Sequence, residues 1–173
     1  MDLDPETLLS QLAALDVSGR SDLMGAVAAL PPAEAVACAF RVLAGLGPEH
    51  GTLVGMCCMQ ILAAHGAPGD RARLAALKPR LPPLPGLRDW RLEAPWADAC
   101  MAARERGDCE CVPRAKCDRP PDDTRFETLS ERIGDWVVDH RLRCRRCGAE
   151  YDVRTEEGYH YPLFRWSKAS ATL

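Results

Sequence analysis

The chain has 173 residues, of which 47% are hydrophobic and 27% charged, and a formal net charge of -3. That length suits one ordinary domain or two small ones, and the composition supplies a core and excludes a disordered chain. The negative balance excludes a molecule-wide electrostatic footprint for a polyanion.

The first residues, Met1-Asp2-Leu3-Asp4-Pro5-Glu6, are acidic where a secretory leader is basic. No later apolar run reaches the ~18 residues needed to span a bilayer, so a cytoplasmic location and no membrane partner are expected. Asp4-Pro5 then opens a first helix over about residues 5–15, with Asp4 as cap, Pro5 at the first helical position and Leu8, Leu12 and Leu15 on one face. Ser18-Gly19-Arg20-Ser21 reads as a break, after which Leu23, Ala26, Val27 and Leu30 form a second helix that Pro31-Pro32 ends.

A third helix, roughly 32–46, places Val36, Phe40 and Leu43 together and stops at Gly45-Leu46-Gly47-Pro48. The fourth, about 51–65, is apolar nearly all round and belongs at the centre of a helical body. A fifth begins near Pro68-Gly69-Asp70 and carries Leu74, Leu77 and Leu81, and the prolines at 79, 82, 83 and 85 then stiffen a connector. Short helices joined by Gly and Pro turns make residues 1–81 similar to a fragment of a HEAT or armadillo repeat, with an irregular helical bundle as the alternative. A helix over about 95–106 follows, and Trp90 and Trp96 flank its start as expected docking residues.

From about residue 108 the composition changes. The first 85 residues carry 6 basic and 8 acidic groups and the remainder 16 and 17, so charge of both signs becomes dense in the second half. Asp118 to Asp123 reads as a loop, and residues 124–133 as a strand or a short helix. Trp136, Val138, His140 and Leu142 alternate with Val137, Asp139, Arg141 and Arg143, the period of a strand running into Cys144. Tyr151 and Val153 continue the alternation, Glu156-Glu157-Gly158 turns the chain, and Tyr159, Tyr161 and Leu163 lead to Trp166.

Nine cysteines, an odd number, in such a chain argue for thiols and metal rather than disulfides. Cys38, Cys57, Cys58 and Cys100 lie in apolar helical stretches and read as core residues. Cys109-Glu110-Cys111, with Cys117 close behind, and Cys144-Arg145-Arg146-Cys147-Gly148 lie among charged residues and have the separation of a tetrahedral zinc site. The favoured ligands are Cys109, Cys111, Cys144 and Cys147, with Cys117, His140 or His160 as alternatives. Cys109 and Cys111 are expected on one face of an extended segment, because residues i and i+2 of a strand point the same way.

A strand, a Cys-x-x-Cys-Gly turn and a strand make residues 109–166 resemble a zinc ribbon or rubredoxin-type knuckle, although Cys109-Glu110-Cys111 has one intervening residue where the common pattern has two. The expected architecture is α+β, an N-terminal irregular helical bundle followed by a small antiparallel β-sheet stapled by one structural Zn2+. The expected divisions are 1–81 helical, 82–107 connector and docking helix, and 108–173 zinc module.

A closed four-thiolate shell leaves no position for substrate, and neither a His-Glu-x-x-His nor a deaminase pattern is present, so the sequence leans away from an enzyme. The reading is a non-catalytic zinc-binding protein of interaction or regulatory kind, for instance an adaptor or immunity protein, with a protein as partner. A nucleic-acid-binding zinc ribbon is the first alternative and a metal-dependent hydrolase with an open site the second. The candidate surface is Arg141, Arg143, Arg145 and Arg146 around the knuckle, with Tyr159, His160, Tyr161 and Trp166 in the terminal hairpin. Ion pairing of those arginines with Asp108, Glu110, Asp118, Asp122 and Asp123 of the facing cysteine cluster is the competing explanation for them.

Overall fold

A computed structural model describes residues 5–81, 93–158 and 162–169. Trp90, Tyr159, His160 and Tyr161 lie outside the described residues. The fold is α+β, with seven helices preceding a four-stranded antiparallel sheet among the described residues. The chain divides into two compact units, Met1–Arg106 and Gly107–Leu173.

The first unit holds α1 (Pro5–Ala14), α2 (Val17–Ala28), α3 (Pro32–Ala44), α4 (Gly51–His65), α5 (Asp70–Leu77) and α6 (Ala94–Arg106). Helix α4, apolar on most sides, packs against α2, α3 and α6 and so sits at the centre of the unit. Leu8, Leu12, Met24, Phe40, Leu43, Val54, Met59, Leu62 and Met101 fill the core around it. Cys38, Cys58 and Cys100 are buried in the same core, Cys57 packs partly against it, and Trp96 does so from α6.

Helix α2 runs straight through Ser18-Gly19-Arg20-Ser21, where the sequence suggested a break. Asp16 accounts for the difference: as N-cap its carboxylate accepts the Gly19 N–H at 2.8 Å, so the polar run becomes the first helical turn. Arg20 on that turn donates to the carbonyls of Leu12 and Ala13, at the end of α1, and of Glu49. Helix α5 ends at Leu77, short of Leu81, because Lys78–Arg80 tightens into a 3₁₀ turn around Pro79, whose nitrogen has no proton to continue the helix. The C-terminal end of α4 is closed by Arg104 of α6, which donates to the carbonyls of Ala63, Ala64 and Gly66.

The second unit holds a short α7 (Cys111–Lys116) and the meander β1 (Phe126–Ile133), β2 (Val137–Cys144), β3 (Glu150–Glu157) and β4 (Pro162–Lys168), in spatial order β1-β2-β3-β4. Residues 124–133, open between strand and helix in the sequence, supply β1. A bulge between Thr128 and Ser130 leaves Leu129 as the extra residue. Register places Cys144, Leu142, Tyr151, Val153 and Trp166 on one face, opposite or beside Phe126. These residues, with Cys111 from α7, form a second small core.

The other face is polar and laced by cross-strand ion pairs. Arg141 meets Asp152 and Glu150, Arg143 meets Glu150, and Arg154 meets Asp139. Each arginine thus stands opposite or diagonal to an acid on the neighbouring strand.

Candidate metal centre

Three short pieces of chain carry the site. Cys109 precedes α7 and Cys111 begins it, so the first pair lies on a helix entry and not on an extended segment as the sequence suggested. A turn closed by the Val112 N–H on the Cys109 carbonyl, 3.1 Å, brings the two side chains to the same side of the backbone. Pro113 is compatible with this helix because it falls in the first turn, where N–H groups have no intrahelical acceptor.

The second pair lies in the β2–β3 hairpin. The Gly148 N–H bonds the Cys144 carbonyl and the Cys144 N–H bonds the Ala149 carbonyl, both at 2.8 Å, folding Cys144 and Cys147 into one tight loop. Gly148 has φ 74°, a left-handed conformation in which a side chain would be strained.

The sulfurs of Cys109, Cys111, Cys144 and Cys147 all lie within 4.8 Å of one another. Cys109 Sγ is 3.6 Å from Cys144 Sγ, and Cys111 Sγ is 3.4 Å from Cys147 Sγ. A tetrahedron of zinc–sulfur bonds of about 2.3 Å has edges of about 3.8 Å, so the spacing fits a metal ion at the centre of the four. The donor set is soft thiolate throughout, which suits zinc.

Cys117, half-buried just past α7, is not one of this group, and neither is His140, which stands on β2 with Nδ1 4.0 Å from Glu131. His160 lies outside the described residues.

The surroundings differ from sulfur to sulfur. Cys111 and Cys144 are buried, Cys109 is half-buried and Cys147 is exposed. Burial pushes the Cys111 thiol well up, against a hydrogen bond that the Tyr151 hydroxyl donates to its sulfur at 3.3 Å. Burial also raises Cys109. At Cys144 burial acts in the same direction but is outweighed by the backbone N–H groups of Cys147 and Arg146 and by the neighbouring thiols, which bring it down to about 7.

Tyr151 is a site residue that the sequence shows as a strand position and an aromatic of the sheet, without indicating its bond to a cysteine. Its alternation with Val153 already placed it on the core face, and a buried phenol needs a hydrogen-bond acceptor. It packs with Phe126 and Trp166 in a cluster of ring centroids 5.2–6.3 Å apart. Trp166 in turn ties the loop after α7 to β4. Its indole N–H donates to the Arg119 carbonyl at 2.8 Å and its backbone N–H to the Asp118 carboxylate at 3.2 Å.

Of the four knuckle arginines, Arg141 and Arg143 are engaged in the ion pairs of the polar face. Arg145 donates to the Phe126 carbonyl at 3.3 Å, and Arg146 is exposed on the turn. Arg145 and Arg146 line a cleft of about 300 Å³ beside the sulfurs, together with Arg125, Thr124 and Phe126. Arg125 also pairs with Glu110 and Asp122.

No protein-family model, curated protein or solved structure matches this chain.

Proposed function

We propose that Cys109, Cys111, Cys144 and Cys147 hold one structural zinc, and that the protein is a non-catalytic interaction or regulatory protein of adaptor or immunity type. The observation that carries this reading is the approach of four thiol sulfurs, from two distant pieces of chain, to within 4.8 Å of one another. Four thiolates complete a tetrahedral shell, so the metal would cross-link α7 to the β2–β3 hairpin without an open position for substrate. Four thiolates on a divalent ion leave two negative charges, and Arg145 and Arg146 stand beside the sulfurs to balance them.

A protein partner is supported by the far end of the sheet, where Ile133 and Trp136 are 75% and 71% exposed. Large apolar side chains presented to water in this way are typical of contact surfaces. A polyanion is less well served, because the charges of Arg141 and Arg143 are met by Glu150 and Asp152.

The test is native mass spectrometry of the whole protein before and after a strong chelator, alongside amide NMR spectra. One zinc per chain is expected, with loss of dispersion for residues beyond 107 when it is stripped. A metal-free chain with an intact sheet would overturn the reading. Retention on a nucleic-acid column that fades with salt would overturn the choice of a protein partner.

A further inference from the structure

The four sulfurs are unequally protected, and this inequality has chemical consequences. Cys144 is buried and accepts hydrogen bonds from two backbone N–H groups of its own turn. Cys111 is buried and accepts one from the Tyr151 hydroxyl. Cys109 is half-buried, and Cys147 alone of the four is exposed, at the outer corner of the hairpin turn. Hydrogen bonds to a sulfur draw on the lone pairs it would use as a nucleophile, and burial keeps reagents away. Cys147 is not buried, and among the described residues it has no hydroxyl donor of the kind Tyr151 offers Cys111. Its near neighbour is Cys111 Sγ at 3.4 Å, so a disulfide between them needs the two sulfurs to close by only about 1.4 Å.

Resting on the zinc reading, we propose that the site is also a peroxide-reactive thiol pair, in which Cys147 reacts first and Cys111 resolves it to a disulfide. The Cys147 thiolate attacks one oxygen of hydrogen peroxide, the O–O bond breaks, and the departing hydroxide takes a proton to become water, leaving a sulfenic acid. The Cys111 thiolate then attacks the Cys147 sulfur, the S–S bond forms, and the sulfenic hydroxyl leaves and takes a second proton as water. Two thiolates have lost two electrons and one peroxide has gained them. Cys111 and Cys147 are thereby withdrawn from the ligand set, and the two thiolates that remain, Cys109 and Cys144, are too few to retain the metal.

Oxidation thus opens the link between α7 and the hairpin. The Tyr151 hydroxyl acts as a restraint on the second step, because its hydrogen bond must be given up before Cys111 can attack. The aromatic cluster in which Tyr151 is packed holds that donor in place.

The test treats the zinc-loaded whole protein with hydrogen peroxide at rising concentrations, follows zinc release with a metal-binding dye, and maps the cysteines by peptide mass spectrometry. Expected is a Cys111–Cys147 disulfide formed in step with zinc release and reversed, with rebinding of zinc, by a dithiol reductant. Tyr151→Phe keeps all four ligands and the ring packing, and release from it is expected to be several-fold faster. A disulfide that first joins Cys109 to Cys144, oxidation of Cys147 to sulfinic acid with no disulfide, or a Tyr151→Phe rate equal to that of the parent would each overturn the proposal. Those outcomes leave the zinc reading intact, whereas a chain that binds no zinc before treatment sinks that reading first and is recognised before any peroxide is added.

Discussion

Replacing Cys144 by serine removes one corner of the sulfur cluster, whereas replacing Cys117 removes a thiol that the cluster does not include. The two substitutions are chemically identical, and both side chains are at least half-buried. The core on that side of the sheet contains four buried side chains other than cysteine, namely Phe126, Leu142, Tyr151 and Val153. At about 1.5–3 kcal/mol each they contribute roughly 6–12 kcal/mol. A structural zinc in a four-thiolate site contributes about 10 kcal/mol or more, which is as much as that entire core. Cys144→Ser should therefore unfold the second unit at room temperature, while Cys117→Ser should cost about 1 kcal/mol or less, as a small change at a half-buried site does. Zinc stoichiometry by native mass spectrometry, with the near-ultraviolet circular dichroism of the Phe126–Tyr151–Trp166 cluster as a reporter of the sheet, distinguishes the two. A Cys144→Ser protein that keeps one zinc and a native spectrum, or a Cys117→Ser protein that loses its zinc, would refute the assignment of ligands.

Arg104→Ala should destabilise the helical unit by about 2–3 kcal/mol, since it strips the charged donor from three carbonyls at the end of α4, and Arg104→Lys should recover part of this; thermal melts followed by circular dichroism check both. Acid should weaken the sheet through its carboxylates. Glu150 is held below its usual range by hydrogen bonds from Arg143 and Arg141, Asp139 by one from Arg154, and Asp122 by one from Thr124. A carboxyl whose folded value is depressed stabilises the fold above its unfolded value, about 4, and loses that contribution as pH falls through the lower folded value. Stability in denaturant is thus expected to fall below about pH 4, less so at high salt because these groups are only partly buried, and a profile that rises on acidification would contradict the pairing.

The sequence displayed α4 well because fifteen residues with apolar groups on nearly all sides, with Gly55 as the one interior glycine, have one good solution, a central helix. It displayed the Cys144–Cys147 turn equally well, since the flanking alternation and Gly148 specify a hairpin locally. The first cysteine pair was harder. Cys-x-Cys is compatible with a strand, and nothing within Cys109–Cys111 announces that Pro113 is in the first turn of a helix. The fate of Ser18–Ser21 turned on one carboxylate, Asp16, whose capping role competes with the break that Ser and Gly suggest. The partners of Arg141 and Arg143 were invisible in another sense: acids lie both before and after them in the chain, and only the β2–β3 register selects Glu150 and Asp152.

The meander order of the strands has a consequence for how the second unit comes together. Every strand pairs with its sequence neighbour, so the sheet is built from contacts of short range, the kind that form early because little chain entropy is lost in closing them. Its central hairpin presents Cys144 and Cys147 as a finished half-site as soon as the turn forms. The other half, around Cys111, is 36 positions away from Cys147 and is tied to the sheet by the Tyr151 hydroxyl, the Arg125–Glu110 pair and the Trp166 contacts. On the zinc reading, metal capture would close a ring of chain across those positions, and because the ion contributes as much as the sheet's small core, the local strand pairing would become a lasting fold only once that ring is closed.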